Sequence, residues 1–207
     1  MVRVYWLFAS TLLLLLIFQP LRAAEPTEAK QVLVLFSEGR DNQGQAMIEQ
    51  GIRAGFLSNR DSDVWLFTEY LDVSRFGSPT HASAMADFLL RKYSEIEINA
   101  IITVYPWAVD FLLAERNFLF SKVPVIAAAL TRGYAERLAN SPARPFVTGT
   151  IVGEKITELM DDALRLRTRT KRVALVAGTS ANDSYVEQGY REGLARYADK
   201  IELIDLT

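Results

Sequence analysis

Short apolar runs recur along the chain from residue 31 onward, separated by stretches whose apolar residues repeat at helical spacing. The runs are Gln31–Phe36, Asp63–Leu71, Ala100–Val104, Val123–Ala129, Arg172–Ala177 and Ile201–Leu206. Most are rich in β-branched residues and scarcely alternate with polar ones, as in strands covered on both faces of a parallel sheet. Between them, Ile48, Ile52, Gly55 and Phe56 share one helical face, as do Ala82, Met85, Ala86, Leu89 and Tyr93. Val109, Leu112 and Leu113 form a third stripe, and Ile156, Leu159, Met160, Ala163 and Leu164 a fourth. Val186, Tyr190, Leu194 and Tyr197 form a fifth, expected to face inward, and residues 130–140 read as a short helix. Apolar stripes of this period mark helices with one buried face. Asn42, Thr80 or Ser83, and Asp183 or Ser184 are the expected helix starts. Pro106 ends the third strand and suits the first turn of a helix. Gly44, Gly51 and Gly55 are expected to bring the first helix close to the sheet. This alternation predicts an α/β protein with doubly wound parallel sheets.

The regularity breaks once. Ser141–Pro145 holds two prolines, and the extended segment Phe146–Gly153 holds Gly149 and Gly153. This segment reads as a crossover between two lobes. Lobe one is expected over residues 25–147 and the start of lobe two over 148–207. Lobe two has fewer strand–helix units, so it reads as incomplete, and the chain as a fragment of a longer one. Residues 1–24 differ in kind. Arg3 precedes an apolar run from Val4 to Phe18, Pro20 breaks it, and Ala23-Ala24 closes it. A positive start, an apolar core and small residues at the exit describe a cleaved secretory signal peptide.

Composition excludes several chemistries. There are 23 basic and 25 acidic residues without a basic run, so a nucleic-acid footprint is missing. With no cysteine and one histidine, a structural zinc site is not expected. The turn after the first strand, residues 37–44, is not a dinucleotide-binding glycine pattern, and neither a phosphate-binding loop nor a nucleophile elbow occurs. No catalytic residue, metal or cofactor is predicted. His81, at a helix start, reads as a surface or capping residue.

In open α/β sheets, ligands bind beyond the carboxyl ends of the strands. The candidate ligand-binding residues are therefore Ser37, Glu38, Tyr105, Trp107, Leu130 and Thr131 from lobe one, facing Thr179 and Ser180 from lobe two. An aromatic wall with a few polar groups is how small-ligand clefts are built. The bland alternative is that Tyr105 and Trp107 pack against a neighbouring helix. Tyr70, Tyr93 and Tyr197 sit at core-facing spacing.

Leu71-Asp72-Val73-Ser74-Arg75-Phe76 resembles an "LDxxRF" segment found after the second strand of periplasmic-binding-protein-like domains. Arg91-Lys92-Tyr93, the strand Ala100–Val104, and Ala108–Leu113 with Val123–Ile126 resemble its following blocks, and Thr148–Thr150 with Lys171–Val176 resembles its crossover into the second lobe. The likeness is to type I ABC-transporter substrate-binding proteins, in particular the sensor-domain branch found on bacterial membrane histidine kinases. It implies two α/β lobes that close on a small solute. It also implies a periplasmic location, membrane-tethered if the chain belongs to a longer sensor kinase, and an ABC permease or a signalling kinase as partner. The competing expectation is an exported hydrolase-like enzyme with Glu38 or Asp110 as base. Scarcity of titratable groups at the strand ends favours the non-enzymatic reading.

Overall fold

The computed structural model describes residues 29–58, 63–114, 120–152 and 155–206. The expected signal peptide lies outside the described residues. Strands form at the apolar runs: β1 (Lys30–Phe36), β2 (Val64–Tyr70), β3 (Ala100–Val104), β4 (Val125–Leu130) and β5 (Val147–Ile151). These five make one parallel sheet in the order β2-β1-β3-β4-β5. A separate parallel pair joins β6 (Arg172–Val176) to β7 (Glu202–Leu206). The helices are α1 (Gln43–Ser58), α2 (Val73–Phe76), α3 (Pro79–Lys92), α4 (Pro106–Ala114), α5 (Arg132–Ala139), α6 (Ile156–Leu166) and α7 (Ala181–Leu194).

The unbroken apolar runs have a direct cause. Alternate residues of one strand point to opposite faces, and both faces of the first sheet are covered. Val32, Val34 and Phe36 of β1 pack with Ile48, Ile52 and Phe56 of α1. Leu33 and Leu35 join the opposite cluster with Ala86 and Leu89 of α3 and Ala108 and Leu112 of α4. The second unit has a smaller core of Met160, Leu194, Tyr197 and Ile201.

β5 pairs with β4 from Val125↔Val147 to Leu130↔Ile151. The expected division between residues 147 and 148 therefore runs through β5, and the first sheet ends after Ile151. Apolar pattern marked the segment as extended but carried no information on which sheet would receive it.

Helix ends also differ from expectation. Asn42 caps α1 as predicted, its side-chain oxygen accepting from the Gln45 N–H at 3.0 Å. α3 starts earlier than Thr80 or Ser83. Ser78 caps it, accepting from the His81 N–H, with Pro79 in the first turn. α7 starts before Asp183, in a capping box between Ser180 and Asp183. Gly51 and Gly55 face open space, whereas a Cβ at Gly44 would lie 2.8 Å from the Tyr105 hydroxyl. Leu194 and Tyr197 are buried as predicted, but Val186 and Tyr190 are 39% and 40% exposed.

Two buried tyrosines tie helices to the frame. Tyr93 donates its hydroxyl to Glu69 at 2.6 Å, and Tyr134 donates to Asp110 at 2.6 Å. Burial, then the hydrogen bond to the carboxylate, pushes both phenols above their ordinary value. A raised folded-state value means this stabilisation is fully present below about pH 10, where unfolded tyrosine titrates, and is lost as pH climbs further. Urea midpoints should stay level from neutral pH to about pH 10 and fall above it. In Tyr93→Phe the alkaline fall should be shallower; an unchanged slope would remove Tyr93 as a source.

Candidate functional site

The parallel strands of the first sheet place all their carboxyl ends on one side. Tyr105, the residue after β3, has φ 67°, and Ala129, near the end of β4, has φ 60°. Both are left-handed conformations that side chains seldom adopt. In β4 the strain coincides with a register shift against β5 between Ala127 and Leu130. Strained non-glycine residues gather at functional sites, and these two lie beside each other on the sheet rim.

They open onto a cleft of about 640 Å³. On one side stand Gly44, Met47 and Ile48 of α1 with Tyr105, Ala129 and Thr131. Facing them are Lys155, Ile156 and Leu159 at the start of α6 and Tyr185, Val186, Gly189 and Tyr190 of α7; Val152 lines the link between the sheets. The lining is mostly apolar and aromatic, and much of it reaches solvent: Met47 is 74% and Leu159 66% exposed. The floor is joined across the two units. The Thr131 N–H donates to the Tyr185 hydroxyl, and the rings of Tyr134 and Tyr185 meet edge to face at 6.4 Å. Burial, and secondarily the charge of Glu38, raises the pKa of Tyr105, so its hydroxyl stays protonated at neutral pH and available as a donor.

The eight candidate residues divide. Tyr105 and Thr131 line the cleft. Thr131 also caps α5, accepting from the Tyr134 N–H. Ser37 is fully buried: its hydroxyl donates to the Val104 carbonyl at 2.7 Å and accepts from the Ala108 N–H at 2.9 Å. It clamps the ends of β1 and β3 to α4. Leu130 is core, packed with Val109, Ala127 and Tyr134. Trp107 lines a different cavity, of about 210 Å³, with Phe76, His81, Met85 and Phe111. Glu38 and Ser180 line a polar pocket of about 280 Å³ with Asp41, Asp72, Arg75 and Asp183. Thr179 is exposed and is not among the residues lining the cleft. His81 stacks on Phe76 at 5.1 Å between ring centroids. Asp110, the alternative base, accepts the Tyr134 hydroxyl. Among the described residues no group of three or more histidine, cysteine or acidic side chains is placed to hold a metal ion.

Sequence reasoning missed the helix-borne walls, Met47, Ile156, Leu159, Tyr185, Val186 and Tyr190. For Ile156, Leu159, Val186 and Tyr190 the only signal was membership of apolar stripes, which a buried helix face produces equally; Met47 and Tyr185 lie outside those stripes and gave none.

No family model matches the chain. No curated protein matches it either. Solved structures do. A solute-binding protein of an ABC transporter from Rhodopseudomonas palustris, in complex with 3,4-dihydroxybenzoic acid, superposes with a TM-score of 0.54 at 15% identity, over 86% of this chain and 46% of its own. An ABC domain in complex with L-Trp from Streptococcus pneumonia gives 0.57 at 15% identity, over 84% and 56%. A leucine-binding protein from Thermotoga maritima gives 0.54 at 15% identity, over 86% and 49%. The chain has a periplasmic-binding-protein-like fold. It spans about half the length of these structures. Their names describe binding proteins rather than enzymes. In the described part of this fold, no helix is long and apolar enough to cross a membrane.

Proposed function

We propose that the chain is the ligand-capturing part of an exported, non-enzymatic solute-binding protein, working in the periplasm after loss of residues 1–24. Its solute is a small molecule with an aromatic or branched apolar body. The captured solute is passed to an ABC permease or reported to a signalling kinase as a closed-lobe state. The observation that carries this reading is the cleft of about 640 Å³, whose walls come from helices of both sheet units. Its size suits a drug-sized or smaller ligand. The dihydroxybenzoate and L-Trp named for two similar structures, and the leucine binding named for a third, are of the size and character that this lining would accept.

A library of small aromatic and aliphatic solutes, screened by thermal shift, tests it. At least one should raise the melting temperature in proportion to the logarithm of its concentration. Tyr190→Ala, which removes an exposed ring, should weaken that solute by about 1–3 kcal/mol, or roughly 5- to 150-fold. Trp107→Ala should leave affinity within about twofold, because it lines the other cavity. Loss of binding in Trp107→Ala with none in Tyr190→Ala would move the site to that second cavity.

A further inference from the structure

We propose that the solute carries a primary ammonium group and that Glu38 receives it, an inference that rests on the solute-binding reading above. Glu38 stands at the carboxyl end of β1 and is only 5% exposed, yet its Oε1 has no hydrogen-bond partner. Three donors around it, on Ser37, Gln45 and Arg75, are turned to other acceptors. The Ser37 hydroxyl donates to the Val104 carbonyl, and the buried Gln45 amide donates to the Gly39 carbonyl at 3.2 Å. Gln45 meets Glu38 only through the backbone, its oxygen accepting the Glu38 N–H at 2.8 Å. Arg75, the guanidinium in the same pocket, is held by Asp72 at 2.8 Å and Asp41 at 3.3 Å.

A buried carboxylate oxygen without a donor is costly, and a charged N–H donor is the partner that recovers most. The surroundings choose the sign. Asp41, Asp72 and Asp183 line the pocket with Glu38, against the single cation Arg75. An anionic head would meet this field unfavourably. A metal ion is poorly served, since the described residues hold no three-ligand group. An ammonium needs only acceptors. The acidic pocket adjoins the apolar cleft at Asn42 and Gly44: Gly44 and Tyr105 line the cleft, Asn42 lines the pocket, and a Cβ at Gly44 would lie 2.8 Å from the Tyr105 hydroxyl and 3.3 Å from the Asn42 side-chain oxygen. A ligand with an apolar body and a cationic head would place the body against Tyr190 and Leu159 and the head at Glu38.

Three probes on one skeleton test this with the full chain: phenethylamine, phenylacetate and L-phenylalanine, read by thermal shift and tryptophan fluorescence. Phenethylamine should bind at least tenfold tighter than phenylacetate. Glu38→Gln should weaken phenethylamine at least tenfold and leave the melting temperature of the free protein unchanged or higher, because it removes an unpaired carboxylate. If L-phenylalanine binds tighter than phenethylamine and shows the same dependence on Glu38, the ammonium belongs to an amino acid; the reverse order points to a simple amine. Phenylacetate binding as well as phenethylamine would overturn the ammonium assignment and leave solute capture standing. So would Glu38→Gln lowering the free melting temperature while affinity holds, which marks a structural role. Failure of these probes and of the whole solute library would remove the solute-binding reading and this inference together.

Discussion

Replacing Ile101 by alanine should lower the unfolding free energy by about 2–5 kcal/mol. Ile101 lies at the centre of the five-stranded sheet, opposite Leu33 of β1 on one side and Val125 of β4 on the other, and is fully buried. It packs in the cluster that holds Leu35, Leu89 and Leu112. Deleting three carbons there removes buried apolar surface and leaves a void that backbone-bound neighbours cannot fill. Domains are stable by only about 5–15 kcal/mol, so this one change consumes a large part of the margin. Ile126→Ala is the control. It is the same substitution on the neighbouring strand, at a site 38% exposed, and should cost less than about 1.5 kcal/mol. Urea denaturation of the two variants separates them. Equal losses would mean that the core does not lie between the sheet and the layer of α3 and α4.

The strands were readable in the sequence because both faces of the first sheet are covered, so nearly every residue of β1, β3 and β4 is apolar. Their ends were readable for the same reason, and with them the rim position of Tyr105 and Thr131. Other site residues were not. Ser37 has the right place on the rim, but a hydroxyl there is as easily a clamp between two strand ends as a ligand contact. Trp107 is only two residues beyond Tyr105, yet the turn into α4 sends it to a separate cavity beside Phe76 and His81. Ser180 sits where a ligand wall was expected and instead closes a capping box with Asp183. The S-x-x-D spacing was visible in the sequence, and so was Pro79 as a first-turn residue behind Ser78. The helix-borne walls lay beyond sequence reasoning for a deeper reason. An amphipathic stripe shows which side of a helix avoids water, not that Leu159 and Tyr190 leave the core and overhang a cleft.

Gly149→Ala should cost about 1–3 kcal/mol, and more if the sheet cannot yield. A Cβ at this position would fall 2.3 Å from the Ala127 carbonyl oxygen of β4. That obstacle is backbone, so no rotamer change relieves it. Relief requires β5 to move away from β4 at the place where their register already shifts. Gly51→Ala supplies the opposite result. Gly51 lies inside α1 with nothing within 4 Å of the added methyl, so the change should stabilise by about 0.5–1 kcal/mol through helix propensity and a less flexible unfolded chain. The pair tests whether glycines follow contact geometry or merely loosen the chain, since loosening predicts that both substitutions stabilise. The damage at Gly149 should also travel. β5 leads directly to Val152, whose N–H donates to the Leu130 carbonyl at 2.8 Å and which lines the cleft as the link between the sheets. Hydrogen exchange should therefore quicken at the Val152 amide in Gly149→Ala and stay unchanged in the β1 amides, two strands removed from β4. Uniform quickening across the sheet would mean that β5 unfolds only with the rest of the sheet, and that the link at the cleft has no independent freedom.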